Sequence, residues 1–329
     1  MASFRWNSKT TRAWIYQALV LIVVVSLVAW LLSNTLANMK ARGIQSGFGF
    51  LFEPAGFDIG ESLIPFDSNE AYWKAFLVGL LNTLRVSITG IFLCTIFGVL
   101  IGVGRVSGNA LARGLCYVYT EFFRNIPLLL QLLMWYILLV EFMPDPQEPL
   151  HFNEWFFLSK GGLAFPILSW ETSWIPLWNL PYFVEGEILG GATLTPEFLA
   201  ITMGLTLYTT AFVAEVVRGG IQSVSQGQVE AAQSLSLSPW QITRWVVLPQ
   251  AMRVIIPPMT NQYLNLTKNS SLAVAIGYPD LVNISNTSLN QTGHAVECIA
   301  IVMLVYLTLS LITSVLMNAY NRRVAIKER

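Results

Sequence analysis

The chain has 329 residues, 54% hydrophobic and 12% charged, with a formal net charge of zero and a mean hydropathy of +0.56. Soluble domains carry roughly twice that charged fraction, so a soluble globular protein is excluded, and the balanced charge offers nucleic acid no basic patch. Cys94, Cys116 and Cys298 lack ligand spacing, and His151 and His294 fall outside the apolar runs, which disfavours disulfides, zinc and any His-based site.

Six apolar runs are long and do not alternate, so they read as membrane-crossing helices rather than barrel strands. The first covers about 14–33, after Arg5, Lys9 and Arg12. It exceeds the length of a signal-peptide core and is expected to stay as an anchor. Residues 34–73 hold Gly47, Gly49, Pro54, Gly56, Gly60 and Pro65 and predict an irregular loop. The second span covers 75–104, with Arg85 inside it. Gly98, Gly102 and Gly104 near its end suggest close helix packing, not a phosphate loop. The third covers 115–140, where Glu121 and Arg124 share a face and are placed to pair. Residues 141–195 then carry seven acids, one lysine, six prolines and Trp155, Trp170, Trp174 and Trp178. Tryptophan favours the headgroup boundary, so this insert is expected to lie on the membrane as a lid or docking rim.

The fourth span covers 196–218 and ends on Glu215 and Arg218, read as a structural ion pair. A polar segment, 219–253, follows. Ser225 with Gln228, and Ser238 with Gln241, fit the S-x-x-Q capping box. One helix is predicted over Gln226–Leu235, a second from Pro239 to Val247, stopping before Pro249. Ser236 falls at the left-handed turn between them, where serine costs roughly 1 kcal/mol relative to glycine. The fifth span, 254–277, is expected to break or kink at Pro257-Pro258. The polar residues Asn261, Gln262, Asn265, Thr267, Lys268, Asn269, Ser270 and Ser271 follow and must line a cavity or helix contact. The sixth span covers 296–319.

With the N-terminus inside, internal segments hold twelve Lys and Arg against four outside, so both termini and the 219–253 hairpin are expected in the cytoplasm. The chain has no G-x-x-x-x-G-K-[ST] and cannot cradle ATP phosphates itself.

Glu230-Ala231-Ala232, Ser236 and Leu248-Pro249 reproduce the spacing of the EAA loop of ABC importer permeases, departing only at Ser236, where the family has glycine. The segments 119–136, 206–221 and 266–281 also resemble that family's polar amino acid subgroup, and most closely its general L-amino-acid permeases. Asn269 replaces an acid common in the last segment. The resemblance covers most of the chain after residue 75. It implies an all-α integral membrane protein with the type I ABC importer transmembrane fold: about six helices and a cytoplasmic coupling-helix hairpin. Residues 1–73 are then a tail, an extra helix and an external loop, 74–320 the permease domain, and 321–329 a cytoplasmic tail.

The implied function is half of the pore of an ATP-driven amino acid importer in a bacterial inner membrane. Gln228, Glu230, Ala231, Ala232, Ser234 and Ser236 would couple to ATPase subunits. ATP and Mg would be bound by that partner, leaving this chain without a cofactor or catalytic centre. The implied partners are two ATP-binding subunits, a second permease more readily a distinct homologue than a copy, and an extracytoplasmic amino-acid-binding protein. A zwitterion needs a cation for its carboxylate and oxygens for its ammonium. Arg124 or Lys268 suits the first role, and Tyr208, Thr210, Asn265 or Asn269 the second. The alternative is an ion-coupled secondary carrier or channel working without an ATPase.

Overall fold

The computed structural model describes residues 9–41, 43, 46–153, 155–169, 177–184 and 187–324. Trp170, Trp174 and Arg5, named above, lie outside the described residues, as do Arg42, Lys327 and Arg329 among the Lys and Arg counted for sidedness. The helices are α1 (Lys9–Ala41), α2 (Tyr72–Arg105), α3 (Ala110–Asn125), α4 (Leu128–Glu141), α5 (Pro196–Gln222), α6 (Gln226–Ser234), α7 (Pro239–Ile242), α8 (Leu248–Asn269), α9 (Leu281–Thr292) and α10 (Ala295–Val324). Among the described residues, four helices are long and apolar enough to cross a membrane: α1 over Arg12–Thr35, α2, α5 and α10.

The third expected span is two helices, not one. α3 and α4 meet at 103°, as a broken span or a re-entrant pair; counted as one span, they bring the crossings to five. Pro127 forces the break, because it has no N–H for the carbonyl of Phe123 and drives Ile126 into an extended conformation (φ −102°, ψ 129°). Gln131, almost fully buried, substitutes for the missing donor: its Nε2 donates to the carbonyls of Phe123 and Ile126, both at 2.9 Å.

The fifth expected span differs in three ways. It starts earlier, as α8, and is too polar to count among the apolar crossings. It does not break at Pro257-Pro258, which lie inside the helix. The carbonyls those prolines leave free belong to the exposed Arg253 and Val254, while Ile255, Ile256 and Met259 hold the opposite face in the core. Its C-terminal end tightens into a 3-10 segment, Ser270–Ile276, closed by Gly277 at φ 79°. The short helix α9, capped by the Asp280 carboxylate on the Asn283 amide, then returns towards α10.

α5 is the central post, with Ala200, Ile201, Leu205, Ala211, Val213 and Ala214 inaccessible to solvent. α2 packs along it through glycine. A Cβ at Gly98 would sit 2.3 Å from Val213 Cγ1, and one at Gly102 would sit 2.7 Å from Val217 Cβ. Gly104 faces Cys116 of α3, at 2.5 Å on the same measure, so all three expected close contacts are present.

The loop expected over 34–73 is shorter than read, because α1 runs on to Ala41; its described remainder is largely irregular apart from one 3-10 turn at Phe48–Phe52. The membrane part is helical, but the regular structure among the described residues of the 141–195 insert beyond α4 is β. Its described strands are β1 (Leu150–Phe152), β2 (Phe156–Ser159), β3 (Gly162–Phe165), β4 (Ile167–Ser169), β5 (Leu177–Asn179), β6 (Tyr182–Val184), β7 (Glu187–Leu189) and β8 (Ala192–Leu194). They form one antiparallel sheet in the order β1-β2-β3-β8 and two hairpins, β4-β5 and β6-β7. Trp155 and Trp178 are exposed there, with ring centroids 6.0 Å apart.

Candidate functional site

At the end of the bundle opposite the insert, α5 hands the chain to a short hairpin. α6 begins after Ser225, whose hydroxyl does not cap it, so the first expected capping box is absent and only the Ser225 carbonyl is used, by the Gln228 amide at 3.1 Å. The second box is present. The Ser238 hydroxyl accepts from the Gln241 amide at 3.4 Å, and the Gln241 side chain accepts from the Ser238 amide at 2.8 Å. Ser236 stands between the helices at φ 57°, the left-handed turn the spacing predicted.

The second helix does not stop before Pro249. α7 runs through a wide π turn, Thr243–Val247, directly into α8. There the Leu248 N–H reaches back to the Thr243 carbonyl. This longer loop absorbs the bond that Pro249 cannot make. The hairpin is therefore continuous with a core helix.

Of the six residues expected to couple, only Ala232 is buried, along with Ile242 across the hairpin. Gln228, Glu230, Ala231, Ser234 and Ser236 are exposed, forming a ridge with Leu235, Trp240 and Trp245. Behind the ridge the attachment is rigid. A Cβ at Gly220 of α5 would lie 2.3 Å from Ile255 Cγ1 of α8, so the helices entering and leaving the hairpin touch backbone to side chain.

One turn above, Glu215 collects arginines from three helices. It accepts from Arg218 of α5 and from Arg105 Nη1 of α2 at 3.0 Å, and faces Arg124 Nη1 of α3 at 3.9 Å. Arg124 also faces Glu121 at 3.9 Å, and Arg105 donates to Thr120 Oγ1 at 2.6 Å. Both i,i+3 pairs read from the sequence are present. The third arm, Arg105, was missed: it lies 110 residues before Glu215, and no local periodicity connects them.

The six substrate-path candidates fall in two places. Arg124 stacks over Phe212 at 5.5 Å, and Tyr208 packs on the same ring at 4.9 Å. Thr210 is fully buried beside Gly98. Asn265 and Lys268 are instead exposed on α8, with Asn269 partly so, in a stripe that also includes Asn261. Lys268 has no ion pair among the described residues. Within one chain the candidates form no single site. A cavity of about 600 Å³ between α2, α5, α8 and α10 is lined mostly by apolar residues such as Val99, Val217, Ile255 and Met259, with the hydroxyls of Thr95 and Tyr263 but no charged side chain to pair with a zwitterion.

At the insert end, Glu61 ties the preceding loop to the bundle by bonding Arg85 of α2 and Thr195, the N-cap of α5. Burial pushes the Glu61 carboxyl above the usual carboxylate range, against the opposing pull of the Thr195 hydroxyl and the Arg85 guanidinium. Arg85 lies 4.2 Å over the Phe198 ring. The sequence flagged Arg85 but not its partner, since loop residues carry no period.

Residues 94–326 match the family described as binding-protein-dependent transport system inner membrane component. The chain is 42% identical to the general L-amino acid transport system permease protein AapQ of Rhizobium johnstonii, over 97% of this chain and 93% of that one. It is likewise 42% identical to the putative amino-acid ABC transporter permease protein YhdX of Escherichia coli K12, over 99% and 98%. A crystal structure of an amino acid ABC transporter with histidines aligns with a TM-score of 0.56 and 26% identity, covering 77% of this chain and 95% of that one. The inward-facing MetNI methionine ABC transporter, at 17% identity and a TM-score of 0.53, shares the fold.

Proposed function

The chain belongs to the binding-protein-dependent transport system inner membrane components and is a multi-pass permease subunit of an ABC importer; from that premise we propose how it works. It forms half of an amino acid pore, and the ridge around Glu230 receives force from cytosolic ATPase subunits. The hairpin and both termini face the cytoplasm, as the basic residues argue. Two ATP-binding subunits bind ATP and Mg, and this chain carries no catalytic centre. A second, distinct permease closes the other half of the pore, and an extracytoplasmic binding protein delivers the amino acid. An ion-coupled carrier is not favoured, because the relatives are ABC permeases.

The observation that supports this reading most is the hairpin's rigid mounting. α6 is exposed on one face and hung on Ala232, while α7 flows without a break into α8. Force on the ridge moves α8, and with it the polar stripe of Asn261, Asn265 and Lys268. Glu230 serves as the polar anchor to a basic group on the ATPase.

Glu230→Ala removes an exposed side chain, so the complex assembles and still accepts substrate. ATP-dependent uptake into vesicles is abolished. Uptake at the wild-type rate from that variant defeats the coupling role.

A further inference from the structure

We propose that the arginine pocket beside the start of α3 holds the phosphate of an anionic phospholipid from the adjoining leaflet. The pocket has a volume of about 370 Å³ and is lined by Arg105, Arg113, Gly114, Tyr117, Arg218 and Gln222, with no carboxylate in its wall. Arg105 and Arg218 spend charge on Glu215, which they share with Arg124, and Arg124 also faces Glu121. Arg113 faces no carboxylate among the described ion pairs; its Nη1 donates only to the Ser107 carbonyl, at 3.2 Å. Four arginines against two carboxylates leave the cluster with a charge of +2. A phosphate supplies the missing negative charge in the form arginine recognises best.

The surroundings indicate a lipid rather than a soluble anion. α2 ends at Arg105 and α5 at Gln222, and both are membrane-crossing helices, so the pocket lies at the boundary of the hydrocarbon layer. An apolar stripe on α3, Leu111, Leu115, Val118 and Phe122, each more than half exposed, lies about a third of a turn around the helix from the pocket-lining Arg113, Gly114 and Tyr117. The spacing of four, three and four places them on one face of the helix, next to the pocket-lining face, so a lipid whose headgroup enters the pocket lays its acyl chain around α3 onto that face. A Cβ at Gly114 would meet nothing within 4 Å, which leaves the entrance open. A neighbouring cavity of about 460 Å³ shares Arg105, Arg113 and Gln222 and reaches Val229 of α6, so the bound phosphate sits against the base of the hairpin.

The test is native mass spectrometry of the full chain, purified with whatever subunits accompany it and titrated with phosphatidylglycerol or phosphatidylcholine of equal chain length. The wild type retains phosphatidylglycerol about tenfold better than phosphatidylcholine. Arg113→Gln lowers phosphatidylglycerol retention about fivefold and leaves phosphatidylcholine unchanged. Arg113→Lys keeps most of the preference. Gly114→Trp, which fills the entrance while keeping every arginine, lowers retention to a similar degree. Equal phosphatidylglycerol retention by Arg113→Gln and the wild type overturns the proposal. Displacement of the lipid by excess inorganic phosphate overturns the lipid source in favour of a soluble anion. No preference between the two lipids in the assembled complex also overturns the proposal.

Discussion

At Ser236 the backbone sits at φ 57°, a region where an L side chain crowds its own carbonyl. Its amide donates to the Gln233 carbonyl at 2.8 Å, and the Leu237 amide to the Ala232 carbonyl at 3.3 Å, so the turn closes α6 despite the cost. Ser236→Gly removes about 1 kcal/mol of local strain. Hydrogen exchange at the Ser236 and Leu237 amides should then slow about fivefold. No change in exchange would show that the hairpin does not carry that strain. This position was legible in the sequence because a turn between two capping signals is a local feature. So was the Ser238–Gln241 box, which lies within four residues. The Ser225 box matched the same pattern and did not form: a sequence pattern shows that a donor and acceptor can meet, not that the entering chain turns their side chains together.

Among the elements, the break between α3 and α4 shows how much one side chain supports. Pro127 leaves the Phe123 carbonyl without its helical donor, and the extended Ile126 leaves its own carbonyl free. The Gln131 amide satisfies both from a buried position. Gln131→Leu keeps the volume and removes the donors, leaving two partly buried carbonyls without them at a cost of about 1 kcal/mol. Thermal unfolding of the purified subunit should show a lower midpoint for Gln131→Leu than for the wild type, and an unchanged midpoint would mean that the break is held by other contacts. The apolar run over 115–140 reads as one span because hydropathy does not register direction; only the Ile-Pro step marks the corner. The reverse error occurred at Pro257-Pro258. There two prolines read as a break or kink, but they fall on the accessible face of α8, where the core on the other side keeps the helix unbroken. Composition located the helices, while burial decided their geometry. The strands of the insert were illegible for a related reason: they are three or four residues long, too short to show a period.

For the whole molecule, one surface is at odds with a lone chain in lipid. α8 exposes Asn261, Asn265 and Lys268 along one face, whereas α10 exposes Met303, Leu304, Leu307 and Leu311. Polar groups in hydrocarbon cost several kcal/mol each, so only the second face suits lipid. The α8 face belongs against water or a partner, which matches a subunit forming half of a pore. The two faces should therefore differ in reactivity. In a background lacking Cys94, Cys116 and Cys298, Asn265→Cys in membranes should react with a hydrophilic maleimide at least about tenfold faster than Leu307→Cys, because only a thiol in contact with water ionises readily. Adding a transported amino acid or the energising ATPase should change the Asn265→Cys rate and leave Leu307→Cys unaltered, since force from the hairpin reaches α8 through the continuous π turn. Equal slow labelling at both positions would mean that the stripe is sealed in a static protein contact, and the route from hairpin to pore would then have to run through α5 instead.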